Sequence, residues 1–155
     1  MSASIERVRS AAEQAGLSIE IRRMGASTRT AEEAAEQCGC AVSQIVKSLV
    51  FEGKDSGRLY LFLIGGDRRL DSGKARIASG EALERADPRK VRDETGFAIG
   101  GVAPIGHAIE IATYADRNLL ELETVWAAAG AHDAVFQARP AQLVQAANAK
   151  VADLV

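Results

Sequence analysis

Lys47 stands inside an otherwise apolar run, Ile45-Val46-Lys47-Ser48-Leu49-Val50-Phe51. Such a run reads as a strand buried on at least one face. Period-two alternation puts Ile45, Lys47, Leu49 and Phe51 on the same side. An ammonium there must find a partner, reach the strand edge, or line a cleft where it can hold an anionic or polarised group. A lysine that snorkels from near the strand end fits the same run. Further along, Gly100-Gly101-Val102-Ala103-Pro104-Ile105-Gly106-His107 forms a glycine-proline loop, expected to follow a short strand at Phe97-Ala98-Ile99. Gly100 and Gly101 would let the main chain approach a ligand with no Cβ in the way. Pro104 would stiffen the loop. The same residue types also make ordinary tight turns.

Other chemistry is harder to assemble. No Ser-His-Asp triad can be read. Ser48 adjoins Lys47, but neighbours on a strand point to opposite faces, which disfavours a serine-lysine nucleophile pair. The cysteines Cys38 and Cys40 and the histidines His107 and His132 show no ligand spacing, so no metal and no cofactor is expected. The two cysteines read as small packing residues, and a lone pair one residue apart suggests a reducing, cytoplasmic setting. The formal net charge of −2 argues against a broad nucleic-acid surface. Residues 54–92 nevertheless carry ten Lys/Arg against six Asp/Glu. That basic middle could hold one short anionic ligand or be a solvated helical face.

The elements that must position these residues follow from the pattern. The 155 residues, 47% of them hydrophobic, fit a single domain spanning 1–155. No apolar stretch approaches a membrane span, and the first residues carry no apolar signal segment. A helix is expected from about Ser4 to Ala15, a strand at Ser18–Arg22, and a helix from the capping box at Thr30–Glu33 to Gly39. The Lys47 strand and Leu59–Ile64 should pair as a hairpin at the centre of a sheet, around a turn at Asp55-Ser56-Gly57. Helices follow at Asp71/Ser72 and Asp87-Pro88, the second closed by Gly96. Strands are expected at Ala108–Thr113, Thr124–Ala128 and Ala134–Phe136, with a turn at Asp116 and a last helix from Pro140. Strands without regular βαβ alternation favour an α+β fold: a mixed, strongly curved sheet with helices packed around it.

Three segments resemble a known family. Val46-Lys47-Ser48-Leu49-Val50-Phe51, Thr95 to His107 with its Gly-x-x-x-Pro core from Gly100 to Pro104, and Val125-Trp126-Ala127-Ala128-Ala129-Gly130-Ala131-His132 resemble the YbaK/ProX aminoacyl-tRNA deacylases, relatives of the editing domain of bacterial prolyl-tRNA synthetase. The order of elements agrees from about Thr30 to Leu143. The resemblance implies a trans-acting hydrolase that removes a wrongly attached small amino acid from tRNA, with tRNA-Pro the expected acceptor and prolyl-tRNA synthetase a conceivable partner. It implies catalysis by water and the terminal ribose hydroxyl, the protein supplying position and electrostatics. Lys47, Gly100, Gly101 and Pro104 would then be the catalytic set. Ser48, Asp67, His107, Asp116 and His132 become candidates for contacting the substrate, each with a plainer reading as a turn or packing residue. Arg68, Arg69, Lys74 and Arg76 would form a rim for the phosphates of the tRNA 3′ end. Alanine-directed members carry Asn after the lysine and cysteine-directed members tend to carry Thr. Ser48 matches neither and leaves the amino acid open. The alternative from another class is a binding module that holds an aminoacyl-tRNA end, a nucleotide or a synthetase without turnover; a small-molecule esterase is disfavoured because no activated nucleophile is visible.

Overall fold

The computed structural model describes residues 3–155. Helix α1 (Ala3–Gln14) buries Ile5, Val8 and Ala12, the stripe its spacing predicts. Helix α2 (Ala31–Cys38) opens on the expected capping box: Thr30 Oγ1 accepts from the Glu33 N–H at 3.1 Å, and the Glu33 carboxylate accepts from the Thr30 N–H at 3.3 Å. Strands β2 (Val46–Gly53) and β3 (Leu59–Gly65) form the antiparallel hairpin, with Lys47 opposite Ile64 and Phe51 opposite Tyr60. Helices α3 (Ser72–Ser79) and α4 (Pro88–Thr95) are capped by Asp71 and Asp87, and Gly96 closes α4 in the left-handed conformation. Helix α5 spans Pro140–Ala146.

The strands divide into two sheets. One is mixed, in the order β4 (Leu83–Arg85), β2, β3, β5 (Ala112–Asp116), β8 (Lys150–Ala152), antiparallel as far as β3 and parallel beyond it. The other is antiparallel, in the order β1 (Arg22–Arg23), β7 (Ala134–Ala138), β6 (Val125–Ala128). A single parallel bridge, Ile45 to Trp126, joins them. The fold is therefore α+β with a mixed sheet and surrounding helices. Strand β3 is buried along its whole length because both faces are covered. Leu59, Leu61 and Leu63 enter the main core with α1 and α4, while Tyr60, Phe62 and Ile64 pack with Ala75 of α3 and with Leu154. That is why it reads as an unbroken apolar run.

Three expected strands differ. Ser18–Glu20 pair with nothing, and only Arg22–Arg23 reach β7, where the Arg23 guanidinium holds the buried Asp133 carboxylate at 2.8 Å. Phe97–Ile99 is no strand: the Phe97 N–H is taken by Thr95 Oγ1 and the Gly101 N–H by the Ala98 carbonyl, both local bonds. The strand expected at Ala108 begins at Ala112, because the N–H groups of Ala108 and Ile109 donate back to Thr95 and Glu94 at the end of α4.

Glu81 fastens the tip of the hairpin to the segment between α3 and β4. Its carboxylate accepts from Ser56 Oγ and Tyr60 Oη, each at 2.6 Å, and from the N–H groups of Ser56 and Asp55. These donors, Ser56 first, bring its pKa from an ordinary 4.5 down to about 2. A carboxyl depressed in the folded state stabilises above its unfolded pKa, and the contribution is lost as pH falls through the folded value. The melting temperature should therefore drop as pH falls from 4.5 towards 2. Glu81→Gln should lower it most near neutral pH and converge with wild type in acid. Parallel pH profiles of the two proteins would contradict this.

Candidate active site

Beyond the Ile45–Trp126 bridge, β2 and β6 part, and a cleft of about 670 Å³ opens between them. Residues 46–51 of β2 form one wall and Trp126, Ala127, Ala128 and Val135 of the smaller sheet the other; α2 and the loop around Gly100 close it. The volume lies within the ~300–1,000 Å³ of small-ligand sites. Apolar residues dominate the lining, with cations at Lys47, Arg29 and Arg85 and one carboxylate at Glu32. Lys47 is half-buried, its Nζ donates to the Arg68 carbonyl, and no carboxylate pairs with it among the described residues. On the opposite pleat, Ser48 Oγ is buried with no hydrogen-bond partner among the described residues.

The glycine-proline loop reaches the cleft by its first residues only. Ala98 to Gly101 is a tight turn closed by the Gly101 N–H on the Ala98 carbonyl at 2.9 Å. Gly100 holds its third position at φ +90°, where a side chain is strained. Gly101 has no such constraint: a Cβ there would meet the Ala131 main chain at 3.7 Å, an ordinary contact. The Gly101 N–H is spent in the turn, while the N–H groups of Gly100 and Val102 bond to no acceptor among the described residues. Ile99, at the tip and 56% exposed, also lines the cleft. Pro104 and His107 turn away into a second cavity of about 430 Å³. There His107 Nε2 lies 2.8 Å from the Ala103 carbonyl and the ring meets Phe97 edge-on. Burial lowers the His107 pKa, partly offset by the Ala103 hydrogen bond. The ring braces the loop from behind.

A family model described as the aminoacyl-tRNA editing domain matches residues 26–146, which include the whole cleft. The chain belongs to the aminoacyl-tRNA editing domain family. Membership supports an editing hydrolase, and the resemblance read from the Lys47 strand and the Gly-x-x-x-Pro loop agrees with it. A crystal structure of a candidate trans-editing enzyme for prolyl tRNA synthetase is 48% identical, with a TM-score of 0.91, covering 99% of this chain and 98% of that one. The uncharacterised protein YwhH of Bacillus subtilis is 34% identical over 125 residues, 81% of this chain and 79% of YwhH. The proline–tRNA ligase of Thermosipho melanesiensis is 35% identical over 81 residues, 52% of this chain but only 14% of the ligase.

Within this editing domain the remaining sequence candidates scatter. Asp67, Arg68 and Arg69 are exposed on the bend after β3, with Arg68 Nε 3.8 Å from Asp67. Lys74 donates to the Val155 carbonyl, and Arg76 is exposed on α3, which packs on the sheet face opposite Ser48. None of these four cations lines the cleft: Arg68 and Arg69 follow β3, and Lys74 and Arg76 lie on α3. Asp116 is buried, and both carboxylate oxygens are occupied, by the N–H groups of Leu154 at 3.0 Å and Asn118 at 3.3 Å. His132 is exposed and its carbonyl accepts from the Thr28 N–H and hydroxyl, so it steadies the cleft wall at Thr28. Sequence reasoning missed Arg29, Arg85 and Ile99. The available signal was weak: Arg29 directly precedes the capping box, and an isoleucine occupies a turn tip where polar residues are usual. Burial pushes the Cys38 thiol up to about 11, in keeping with packing. Among the described residues no group of three or more His, Cys, Asp or Glu could hold a metal ion, and no helix is long and apolar enough to cross a membrane.

Proposed function

We propose that this editing domain acts in trans, in the cytoplasm, to hydrolyse the ester of a small amino acid wrongly attached to tRNA-Pro. One observation carries the reading: an apolar cleft holding a lysine with no carboxylate partner, beside a turn with free N–H donors, in a chain of the editing family. The cleft lining offers no cysteine, histidine or aspartate as nucleophile or base, and its one carboxylate is that of the exposed Glu32 on α2. Water is the nucleophile. Its oxygen adds to the ester carbonyl carbon, the bond from that carbon to the ribose oxygen breaks, the ribose oxygen takes one of the water's protons, and the amino acid leaves as a carboxylate with the other proton released to solvent. Lys47 supplies a compact positive charge at the ester end or the terminal phosphate. The N–H groups of Gly100 and Val102 stabilise the oxyanion. The tRNA-Pro assignment is supported by the 48% identity to a protein described as serving prolyl tRNA synthetase.

The test is a panel of tRNA-Pro samples carrying Ala, Ser, Cys, Thr or 2-aminobutyrate, each assayed for ester hydrolysis against a no-protein control. At least one should be hydrolysed faster than cognate Pro-tRNA. No acceleration with any of them would refute the enzyme and leave the binding module.

Arg29 and Arg85 flank the cleft with no ion-pair partner among the described residues, and are assigned to the phosphates of the 3′ end. Reversing both charges should raise KM by about tenfold with a smaller loss in kcat, as for groups that hold substrate without sensing the transition state. The same reversal at Arg68 and Arg69 should do less. The reverse ranking would return the phosphate path to the bend after β3.

A further inference from the structure

The main chain of β2 has a short stretch that no strand pairs on the cleft side. The Ile45 carbonyl accepts from the Gly66 N–H at 2.7 Å and the Gly53 N–H donates to the Arg58 carbonyl at 2.8 Å, both in the β2–β3 register. Hydrogen-bonded pairs alternate along an antiparallel ladder. Lys47, Leu49 and Phe51 therefore exchange bonds with β3, and the N–H and C=O groups of Val46, Ser48 and Val50 point away from it. On that other side β4 pairs only with residues 51–53, and β6 bridges only at Ile45. Val46 and Val50 each adjoin one of these contacts; Ser48 is the residue farthest from both, on the cleft wall, and its Oγ is buried without a partner among the described residues.

A strand residue with both main-chain groups open can be matched by a single residue: in a hydrogen-bonded antiparallel pair, two residues exchange both N–H···O bonds. An α-aminoacyl ester carries that same unit, a nitrogen bearing protons, one carbon, then a carbonyl. We propose that Ser48 reads the attached amino acid as the missing opposite residue, its C=O accepting from the substrate's ammonium and its N–H donating to the ester carbonyl. The ammonium bond is charge-assisted and selects α-amino esters. The N–H bond adds a donor on the oxygen that becomes the oxyanion. Recognition through the main chain is indifferent to the amino acid's side chain, whose size is left to the rest of the cleft. This inference rests on the deacylase reading above.

Two measurements test it. The first takes the best substrate of the panel and its α-hydroxy counterpart, made by replacing the ammonium with hydroxyl on the charged tRNA. Each single-turnover rate is divided by that ester's uncatalysed rate. The enhancement should fall by about tenfold or more for the hydroxy ester, the worth of a hydrogen bond to a charged group. The second compares Ser48→Pro with Ser48→Ala. Proline removes an N–H that serves no ladder bond, so the sheet can accept it. The kcat/KM of Ser48→Pro should lie about 10²-fold below that of Ser48→Ala, as for a lost oxyanion donor. Equal enhancement for amino and hydroxy esters, or a folded Ser48→Pro as active as Ser48→Ala, would overturn the pairing while leaving the deacylase in place. If Ser48→Pro does not fold, the ester comparison alone decides. If the wild type hydrolyses nothing in the panel, the deacylase reading falls and the pairing with it.

Discussion

Lys47→Ala should remove deacylation and leave the fold standing. The side chain shares a pleat face with Leu49 and Phe51, yet it pairs with no carboxylate among the described residues; its one bond is to the Arg68 carbonyl. Losing that bond costs about 1 kcal/mol of stability. Losing the one cation that β2 gives the cleft removes a charge from the place proposed for the developing negative charge, and the expected fall in kcat is about 10²–10³-fold. Lys47→Arg should recover little, because a planar fork cannot stand in for a compact ammonium. Hydrolysis rates measured beside melting curves check this. A folded Lys47→Ala with wild-type turnover would show that Lys47 merely snorkels, as the sequence alone allowed.

Gly100→Val should be the most damaging change to catalysis in the Ala98–Gly101 turn. The residue sits at φ +90°, and a Cβ would lie 3.6 Å from the Arg29 side chain. A β-branched residue there costs about 1–3 kcal/mol of backbone strain or opens the turn. Opening the turn moves the Gly100 and Val102 N–H groups away from the oxyanion position, with an expected loss of about 10²–10³ in kcat. The turn is exposed at a loop tip, so the melting temperature should change little by comparison. Gly101→Ala, with an ordinary φ and only ordinary contacts, should be the milder substitution. A large loss of stability with the folded fraction fully active would reduce the loop to a structural turn.

These two residues also show what the sequence makes legible. The hairpin could be read because β3 is covered on both faces and so spells out Leu59 to Ile64 without interruption. The capped helices could be read because Thr30, Asp71, Asp87 and Gly96 act locally. The short polar strands Leu83–Arg85 and Lys150–Ala152 carry no alternation long enough to detect; they are strands only because β2 and β5 offer free edges. The site was half legible. Lys47, Ser48 and Gly100 fall on one cleft as the motifs implied, but which glycine bears the strain depends on a turn closed at Gly101, and which arginines face the cleft depends on where β2 and β6 part. That parting is set by one bridge between residues 45 and 126, a separation no local pattern encodes. Arg68, Arg69, Lys74 and Arg76 were grouped by proximity in sequence, whereas Arg29 and Arg85 are brought together by the fold.

The central claim is that the ester end of an aminoacyl-tRNA binds between β2 and β6. The most direct measurement is an NMR titration of the protein with a 3′-aminoacylamino adenosine, in which an amide replaces the scissile ester and hydrolysis is blocked. The account predicts that amide shifts concentrate at Ser48, Val50, Gly100 and Val102, with the Trp126 indole moving alongside, and that they disappear in Lys47→Ala. Shifts confined to Ile105 through Tyr114, around the second cavity behind the loop, would place the ligand on the other side of the glycine-proline segment and contradict it.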